Sequence, residues 1–162
     1  MQKLRVGVIM GGMSIEDEVS FNSGRTICDH LDATCYEVIP LFHTHKNTLH
    51  ILPWRFLHRG KISDFIHRIS TEAQEVTWDQ LKNSIDFMYI ATHGRFAEDG
   101  TLQGMLEVLG IPYLGAKVFS SALRMDKIMQ KSVLQRNGVQ VPRYTYLRAQ
   151  EIPQFALLKD DI

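Results

Sequence analysis

The sequence has no surplus of either charge, because 18 lysine and arginine residues balance 18 aspartate and glutamate residues. Domains that bind nucleic acid or an anionic membrane surface by electrostatic attraction normally carry a basic surplus. The balance gives no support to either partner, and we expect no nucleic acid and no membrane. Apolar residues make up 44% of the 162 residues, which is an ordinary proportion for a globular domain.

Long apolar segments and paired cysteines are also missing. The apolar stretch at residues 6–10 is short and contains Gly7, so we expect no signal peptide. No apolar run has the length of a membrane-spanning helix. Cys28 and Cys35 lack the C-x-x-C spacing of metal and redox motifs, and we expect both to be buried, reduced thiols of a cytoplasmic protein.

Strand and helix signals alternate along the chain. Short Val- and Ile-rich runs predict buried strands at residues 4–10, 36–42, 86–92 and 111–114. Helical spacing and capping residues predict five helices. The first is capped by Ser14, together with Asp17, and runs to about residue 31. The second lies around 62–69, the third begins after Thr77, the fourth covers 101–109 and ends at Gly110, and the fifth covers 120–136 and ends at Gly138. The alternation predicts an α/β fold with an open, mostly parallel, doubly wound, Rossmann-like sheet and helices on both faces.

Two loops that follow predicted strands carry unusual chemistry, residues 11–17 and 93–100. In doubly wound sheets ligands bind beyond the carboxyl ends of the strands, so we expect both loops to face one crevice. The first loop lacks the third glycine of G-x-G-x-x-G. The three acids at the helix start, residues 16–18, would repel a pyrophosphate, which argues against a nicotinamide or flavin enzyme. Carboxylates at this place suit an ammonium group.

Each candidate residue also has a purely structural interpretation. Glu16 can simply stabilise a helix start, whereas His93 can be a structural histidine or a donor to a carboxylate or developing oxyanion. Gly94 permits close approach of the backbone to a ligand. The remaining charged residues of the second loop form either a salt-bridged loop or part of the site wall: Arg95, Glu98 and Asp99.

The histidine-rich stretch and the third helix have simpler interpretations. His43 and His45 stand at H-x-H spacing and His50 follows, but no further ligands can be assigned, so we predict no metal site. The apolar residues of the helix over 101–109 are predicted to be core: Leu102, Met105, Leu106 and Leu109.

Three segments occur in a distinctive order and spacing: GGMSIEDEVS, HGRFAEDGTLQGMLEVLGIPYLG and SALRMDK. Together they resemble the N-terminal, pre-ATP-grasp region of D-alanine–D-alanine ligases, from Val6 to about Pro142 and least in residues 43–84. The resemblance implies an ATP- and magnesium-dependent ligase of peptidoglycan synthesis. In that reaction ATP phosphorylates one D-alanine carboxylate, and the amine of a second D-alanine attacks the acyl phosphate.

The resemblance also implies residue roles. Glu16 matches the glutamate that holds the ammonium of the first D-alanine, and Val19 matches a residue near that substrate's side chain. His93 matches the histidine beside the reacting carboxylate, and Lys127 a lysine that contacts ATP phosphate. The sequence departs from the family at Met13, where Arg, Lys or Thr is more usual, and at Asp17, where His or Arg is common.

The family pattern sets expectations for domains and assembly. We expect residues 1–147 to form the substrate-binding domain and residues 148–162 to begin a truncated ATP-grasp domain. The central domain and the magnesium-binding acids of the family are absent from the sequence, so we expect a fragment with no bound ATP or Mg of its own. The full-length enzyme is expected to be a cytoplasmic homodimer that joins through this region. The alternatives are a non-catalytic binding or dimerisation module, and a ligase relative with another second substrate.

Overall fold

A computed structural model of the chain describes residues 2–58 and 60–147. The chain divides into two units after Ala122. The segment predicted to begin an ATP-grasp domain, residues 148–162, lies outside the described residues.

The first unit is built on one open sheet. Within the described residues its strands are β1 (Leu4–Gly11), β2 (Tyr36–His43), β3 (Leu49–Ile51), β4 (Gln74–Val76), β5 (Phe87–Ile90) and β6 (Tyr113–Leu114). Their order is β4-β3-β2-β1-β5-β6. β1 pairs in parallel with β2 and β5, and β5 with β6, whereas β3 is antiparallel to both of its neighbours. The predicted open, mostly parallel α/β sheet is confirmed, and β1 is an inner strand of it.

Helices and short helical turns connect the strands. The helices are α1 (Asp17–His30), α2 (Trp54–Leu57), α3 (Ile69–Glu72), α4 (Trp78–Ser84), α5 (Thr101–Leu109), α6 (Val118–Met125) and α7 (Lys127–Arg136). Two 3₁₀ turns precede α3, at Ile62–Asp64 and Ile66–Arg68, so the single helix predicted over 62–69 is wrong. The predicted bounds of α5 and its end at Gly110, which has a φ of +69°, are confirmed.

Two helix predictions are wrong because a polar side chain forms hydrogen bonds that the sequence pattern did not indicate. Asp126 accepts hydrogen bonds from the amides of Ile128 and Met129 and thereby starts α7, which splits the helix predicted over 120–136. Ser14 does not cap α1, because the helix starts at Asp17 with Glu16 in the capping position. The Ser14 hydroxyl instead bonds to the second loop.

Two apolar cores lie on opposite faces of the sheet because successive side chains of a strand point to opposite faces. Val8 and Met10 of β1 pack with Phe21 of α1 in one core. Ile9 packs with Leu102 of α5 in the other core. Helices therefore cover both faces, as the doubly wound prediction requires.

The cysteines differ in environment. Cys28 is buried on the α1 face of the sheet, and burial raises the pKa of its thiol to about 12. Cys35 is exposed, which corrects the expectation that both thiols are buried, because it lies in the turn before β2. Across residues 2–58 and 60–147 no helix combines the length and the apolar composition that a membrane crossing requires.

Candidate functional site

The site lies where β1 and β5 end side by side. Because α1 begins at Asp17, the first loop in the structure is residues 11–16, and the second loop is residues 93–100. Gly11 ends β1 with a φ of +76°, and a Cβ there would fall 2.7 Å from the carbonyl oxygen of His43. The amide of Gly12 donates to the same carbonyl over 2.8 Å. Glycine is therefore required for the turn out of the central strand.

Serine hydroxyls fix the backbone of His93 from both sides. The Ser14 hydroxyl donates to the His93 carbonyl oxygen over 2.9 Å. The His93 amide donates to Ser20 Oγ, also over 2.9 Å, and Ser20 Oγ donates onward to the carbonyl oxygen of Glu16. The first loop, α1 and the second loop are thus joined by a continuous set of hydrogen bonds, as expected from loops that share one crevice.

The imidazole of His93 is half-buried against α1. Its Nε2 lies 2.9 Å from Ser23 Oγ, so one ring nitrogen has a partner in the protein. Ser20 and Ser23 stand three residues apart and share one face of the helix. Sequence reasoning missed both serines, although their S-x-x-S spacing after the first loop was a signal that could have identified them.

Gly94 brings the two loops into contact. Its φ is +76°, and a Cβ on it would fall 2.8 Å from Ser14 Oγ and overlap the carboxylate of Glu16. The Glu16 side chain therefore lies directly against the backbone of the second loop. Glu16 is exposed, and within the described chain no group donates a hydrogen bond to its carboxylate. A carboxylate without a partner at a helix start is available to a cation.

The acids of the second loop bond to backbone amides and not to arginine. Glu98 accepts the amide of Gly94 over 2.7 Å, and Asp99 accepts the amides of Phe96 and Thr101. Partial burial opposes the charged form of Asp99, but the bonds from Phe96 and Thr101 outweigh it and lower its pKa. Among the described residues Arg95 forms no ion pair, so of the two interpretations of this loop the structure does not support the salt-bridged one.

Phe96 has an unusual backbone conformation, with a φ of +76° in a bulky residue. Such a conformation is strained and persists only where the surroundings impose it. Here the Asp99 carboxylate accepts the Phe96 amide, and the ring packs on His43 with 4.9 Å between ring centroids. The second loop is therefore held in one shape before any ligand arrives.

A cavity of about 450 Å³ opens beside both loops. Its lining residues are Met13, Arg95, Phe96, Asp99 and Thr101. This size is in the range of small-molecule sites. The lining does not include Glu16, Val19 or His93.

The other residues at the start of α1 have distinct environments. Val19 is exposed, one helical turn after Glu16, and therefore points to the same side of the helix. Asp17 pairs with His45 at 2.8 Å, and Glu18 accepts the amide of Ile62 over 2.9 Å. Of the three acids in this segment, Glu16 alone keeps a carboxylate that no described group engages.

Lys127 belongs to the second unit. It is the first residue of α7, and its ammonium donates to the carbonyl oxygen of Arg124 over 3.0 Å. The Lys127 ammonium has further N–H groups that could contact one phosphate, but a single lysine does not make a complete nucleotide site. Within the described residues no three histidine, cysteine or acidic side chains are grouped closely enough to hold a metal ion, so they do not fit Mg.

Comparison with known proteins identifies the family of this chain. The sequence profile of the family described as D-ala D-ala ligase N-terminus matches residues 5–116, more than half of the chain. The chain belongs to the D-alanine–D-alanine ligase family. A D-alanine–D-alanine ligase from Natranaerobius thermophilus is 39% identical over 164 residues, which cover 95% of this chain and 45% of that protein.

Solved structures of this family have the same fold. A D-alanine–D-alanine ligase from Bacillus anthracis, complexed with ATP, has a TM-score of 0.60 and 31% identity, covering 95% of this chain and 43% of its own. A D-Ala:D-Ser ligase from Enterococcus faecalis has a TM-score of 0.78 and 26% identity, covering 99% and 50%. The chain spans less than half the length of the Natranaerobius thermophilus relative and at most half the length of the chains in these two structures.

Proposed function

We propose that this chain is the part of a D-alanine–D-alanine ligase that binds the first D-alanine. The observation that carries the proposal is the Glu16 carboxylate, which lies against Gly94 at the loop junction without a partner among the described residues. A charge-assisted bond from an ammonium group is stronger than a neutral hydrogen bond. Glu16 is assigned to the substrate ammonium, and the exposed Val19 one turn later to its methyl side chain.

His93 is assigned to the reacting carboxyl group. Its backbone is fixed on both sides by Ser14 and Ser20, and its Nε2 is paired with Ser23, so the ring orientation is set before substrate binds. A preoriented donor stabilises negative charge that develops on a substrate oxygen. Glu16 and His93 are thus proposed as catalytic and substrate-binding residues on either side of Gly94, and Ser23 as the residue that positions the imidazole.

The nucleotide is assigned from the family. Family membership and the ATP complex of the Bacillus anthracis relative support ATP as the phosphate donor, with Lys127 as one contact. The magnesium dependence stays a prediction from the family resemblance. The homodimer, the peptidoglycan role and the cytoplasmic location remain predictions. The D-Ala:D-Ser neighbour shares the fold, so this fold is compatible with D-alanine or D-serine as the second substrate.

The test compares two proteins. Residues 1–162 alone should form no dipeptide from D-alanine and ATP, because phosphoryl transfer needs metal ligands and a phosphate cradle. A full-length ligase that contains residues 1–162 together with metal ligands and a phosphate cradle should release ADP in a D-alanine-dependent reaction and form D-alanyl-D-alanine. Dipeptide formation by residues 1–162 alone would contradict the assignment of phosphoryl transfer to other parts of the enzyme. An inactive full-length protein would favour a binding or dimerisation module.

A further inference from the structure

Gln103 is a buried amide on the first turn of α5. Its side chain is only 5% exposed. The neighbouring Leu102 is fully buried in the core between α5 and the sheet, which fixes the helix backbone at this point. The Nε2 of Gln103 donates a hydrogen bond to the carbonyl oxygen of Ala97 over 2.8 Å. The side chain therefore joins a firmly packed helix to the second loop.

The direction of this hydrogen bond is unambiguous. The Ala97 carbonyl oxygen can only accept, so the NH₂ group of Gln103 is the donor. The Oε1 of Gln103 is then buried without a partner among the described residues. An unpaired buried acceptor costs free energy, and a methionine of similar size would avoid that cost. The bond to Ala97 is thus what a glutamine provides here and an apolar residue does not.

Ala97 is bonded in turn to Gly94, the residue where the two loops meet. The amides of Ala97 and Glu98 donate to the Gly94 carbonyl oxygen over 3.2 and 2.9 Å. The Glu98 carboxylate accepts the Gly94 amide over 2.7 Å. Gly94 follows His93 directly in the chain. A displacement of Ala97 would therefore be transmitted to the peptide that carries His93.

The helix α5 also holds the strained residue of the second loop. The amide of Leu102 donates to the carbonyl oxygen of Phe96, whose φ is +76°, over 3.0 Å. Two successive carbonyl groups of the loop are thus bonded to α5, Phe96 through a backbone amide and Ala97 through the Gln103 side chain. Because a strained conformation persists only where its surroundings impose it, both bonds oppose relaxation of the loop.

We propose that Gln103 is a positioning residue of the ligase reaction. By holding the Ala97 carbonyl group, it keeps the second loop in the shape that presents the His93 imidazole to the reacting carboxyl group. The inference rests on the proposed role of His93 and adds a residue that acts through the loop backbone. A preoriented donor stabilises charge that develops in the transition state, so its misalignment lowers kcat more than it weakens binding.

Gln103→Met tests the hydrogen bond, because it keeps the volume of the side chain and removes the donor. In the 162-residue chain, amide hydrogen exchange at Gly94, Ala97 and Glu98 should become about tenfold faster. The midpoint of thermal unfolding should stay within about 4 °C of wild type, because removal of the unpaired Oε1 offsets the lost bond. In the full-length ligase, kcat should fall about tenfold or more with KM for ATP unchanged.

Gln103→Glu tests the same bond through pH. The carboxyl group of this variant donates to the Ala97 carbonyl oxygen when it is protonated, and it only accepts when it is ionised. Burial disfavours the ionised form and raises the pKa of such a group. The ratio of its kcat to that of wild type should therefore rise as the pH falls from about 9 to about 6. The same ratio for Gln103→Met should not change with pH, and a flat ratio for Gln103→Glu would contradict the proposal.

Leu106→Val is the control for general loosening of α5. Leu106 is fully buried in the core on the same helix, and its truncation should lower the unfolding midpoint but keep kcat within about twofold of wild type. Unchanged loop exchange or unchanged kcat in Gln103→Met would overturn the proposal, as would an equal fall of kcat in Leu106→Val. His93→Ala separates the two levels of the account. Normal turnover of His93→Ala would refute the proposed function, whereas slow turnover of His93→Ala beside normal turnover of Gln103→Met would refute only the positioning role.

Discussion

Replacing Gly94 with alanine tests the contact between the two loops. The new Cβ would fall 2.8 Å from Ser14 Oγ, 3.0 Å from Ser14 Cβ and into the Glu16 carboxylate. The backbone at this residue also has a φ of +76°, which disfavours any side chain. The substitution therefore combines backbone strain with a steric clash, and both act on the proposed substrate site.

The two costs have separate magnitudes. A left-handed conformation costs a residue with a Cβ about 1–2 kcal/mol. Forcing an extra carbon into a packed place typically costs about 1–3 kcal/mol. Their sum, about 2–5 kcal/mol, corresponds to a fall of about 4–20 °C in the midpoint of thermal unfolding for a domain of this size.

Gly110→Ala is the matched control. Gly110 has a φ of +69°, but nothing lies within 4 Å of a Cβ built on it, so this variant carries the strain without the clash. The loss of chain entropy in the unfolded state is the same for both substitutions and cancels in the comparison. Calorimetry should place Gly94→Ala about 2–12 °C below Gly110→Ala. Equal midpoints would refute the close approach of the loops.

Three further predictions concern catalysis and pH. His93→Ala in the full-length enzyme should lower kcat about a hundredfold or more with the fold retained; normal turnover with a lowered unfolding midpoint would make this histidine structural. Ser23→Ala keeps the imidazole but removes its partner, so kcat should fall by up to about tenfold with KM for ATP unchanged. Hydrogen bonds from Arg68 and then Arg55 lower the pKa of Glu72 from 4.5 to about 2, so the stability it contributes is present above pH 4.5 and is lost as the pH falls toward 2. The difference in unfolding free energy between wild type and Glu72→Gln should therefore shrink over that range, and a difference that grows on acidification would contradict the ion-pair account.

Much of the fold was predictable because its signals are local. β1 and α5 combine an apolar pattern with glycine at their ends, and pattern and structure agree there. β3 and β4 were missed because each has three residues, too few to show alternation. The antiparallel pairing of β3 arises from tertiary contacts that no local pattern encodes.

The site was predictable in its loops and not in its internal bonding. Glycines after β1 and a histidine after β5 identify the place, because the carboxyl ends of adjacent parallel strands meet at one edge. The partners of polar side chains were not predictable. Ser14 bonds to a residue 79 positions away, and Asp99 bonds to amides of its own loop, although a salt bridge within the loop was one of its two interpretations. Hydroxyls and carboxylates choose among many nearby groups, and only the folded chain decides which are close.

The most direct test of the account is the Michaelis constant for the first D-alanine in the full-length ligase that contains this chain. Glu16→Gln removes a charge-assisted contact worth about 1.5–3 kcal/mol and should raise that constant at least about tenfold, with the constant for ATP unchanged. Glu37→Gln is the control, since Glu37 is an exposed acid at the amino end of β2, away from both loops. If Glu16→Gln and Glu37→Gln both keep the wild-type constant for D-alanine, then Glu16 is only a helix-start acid, and the proposed substrate site is wrong.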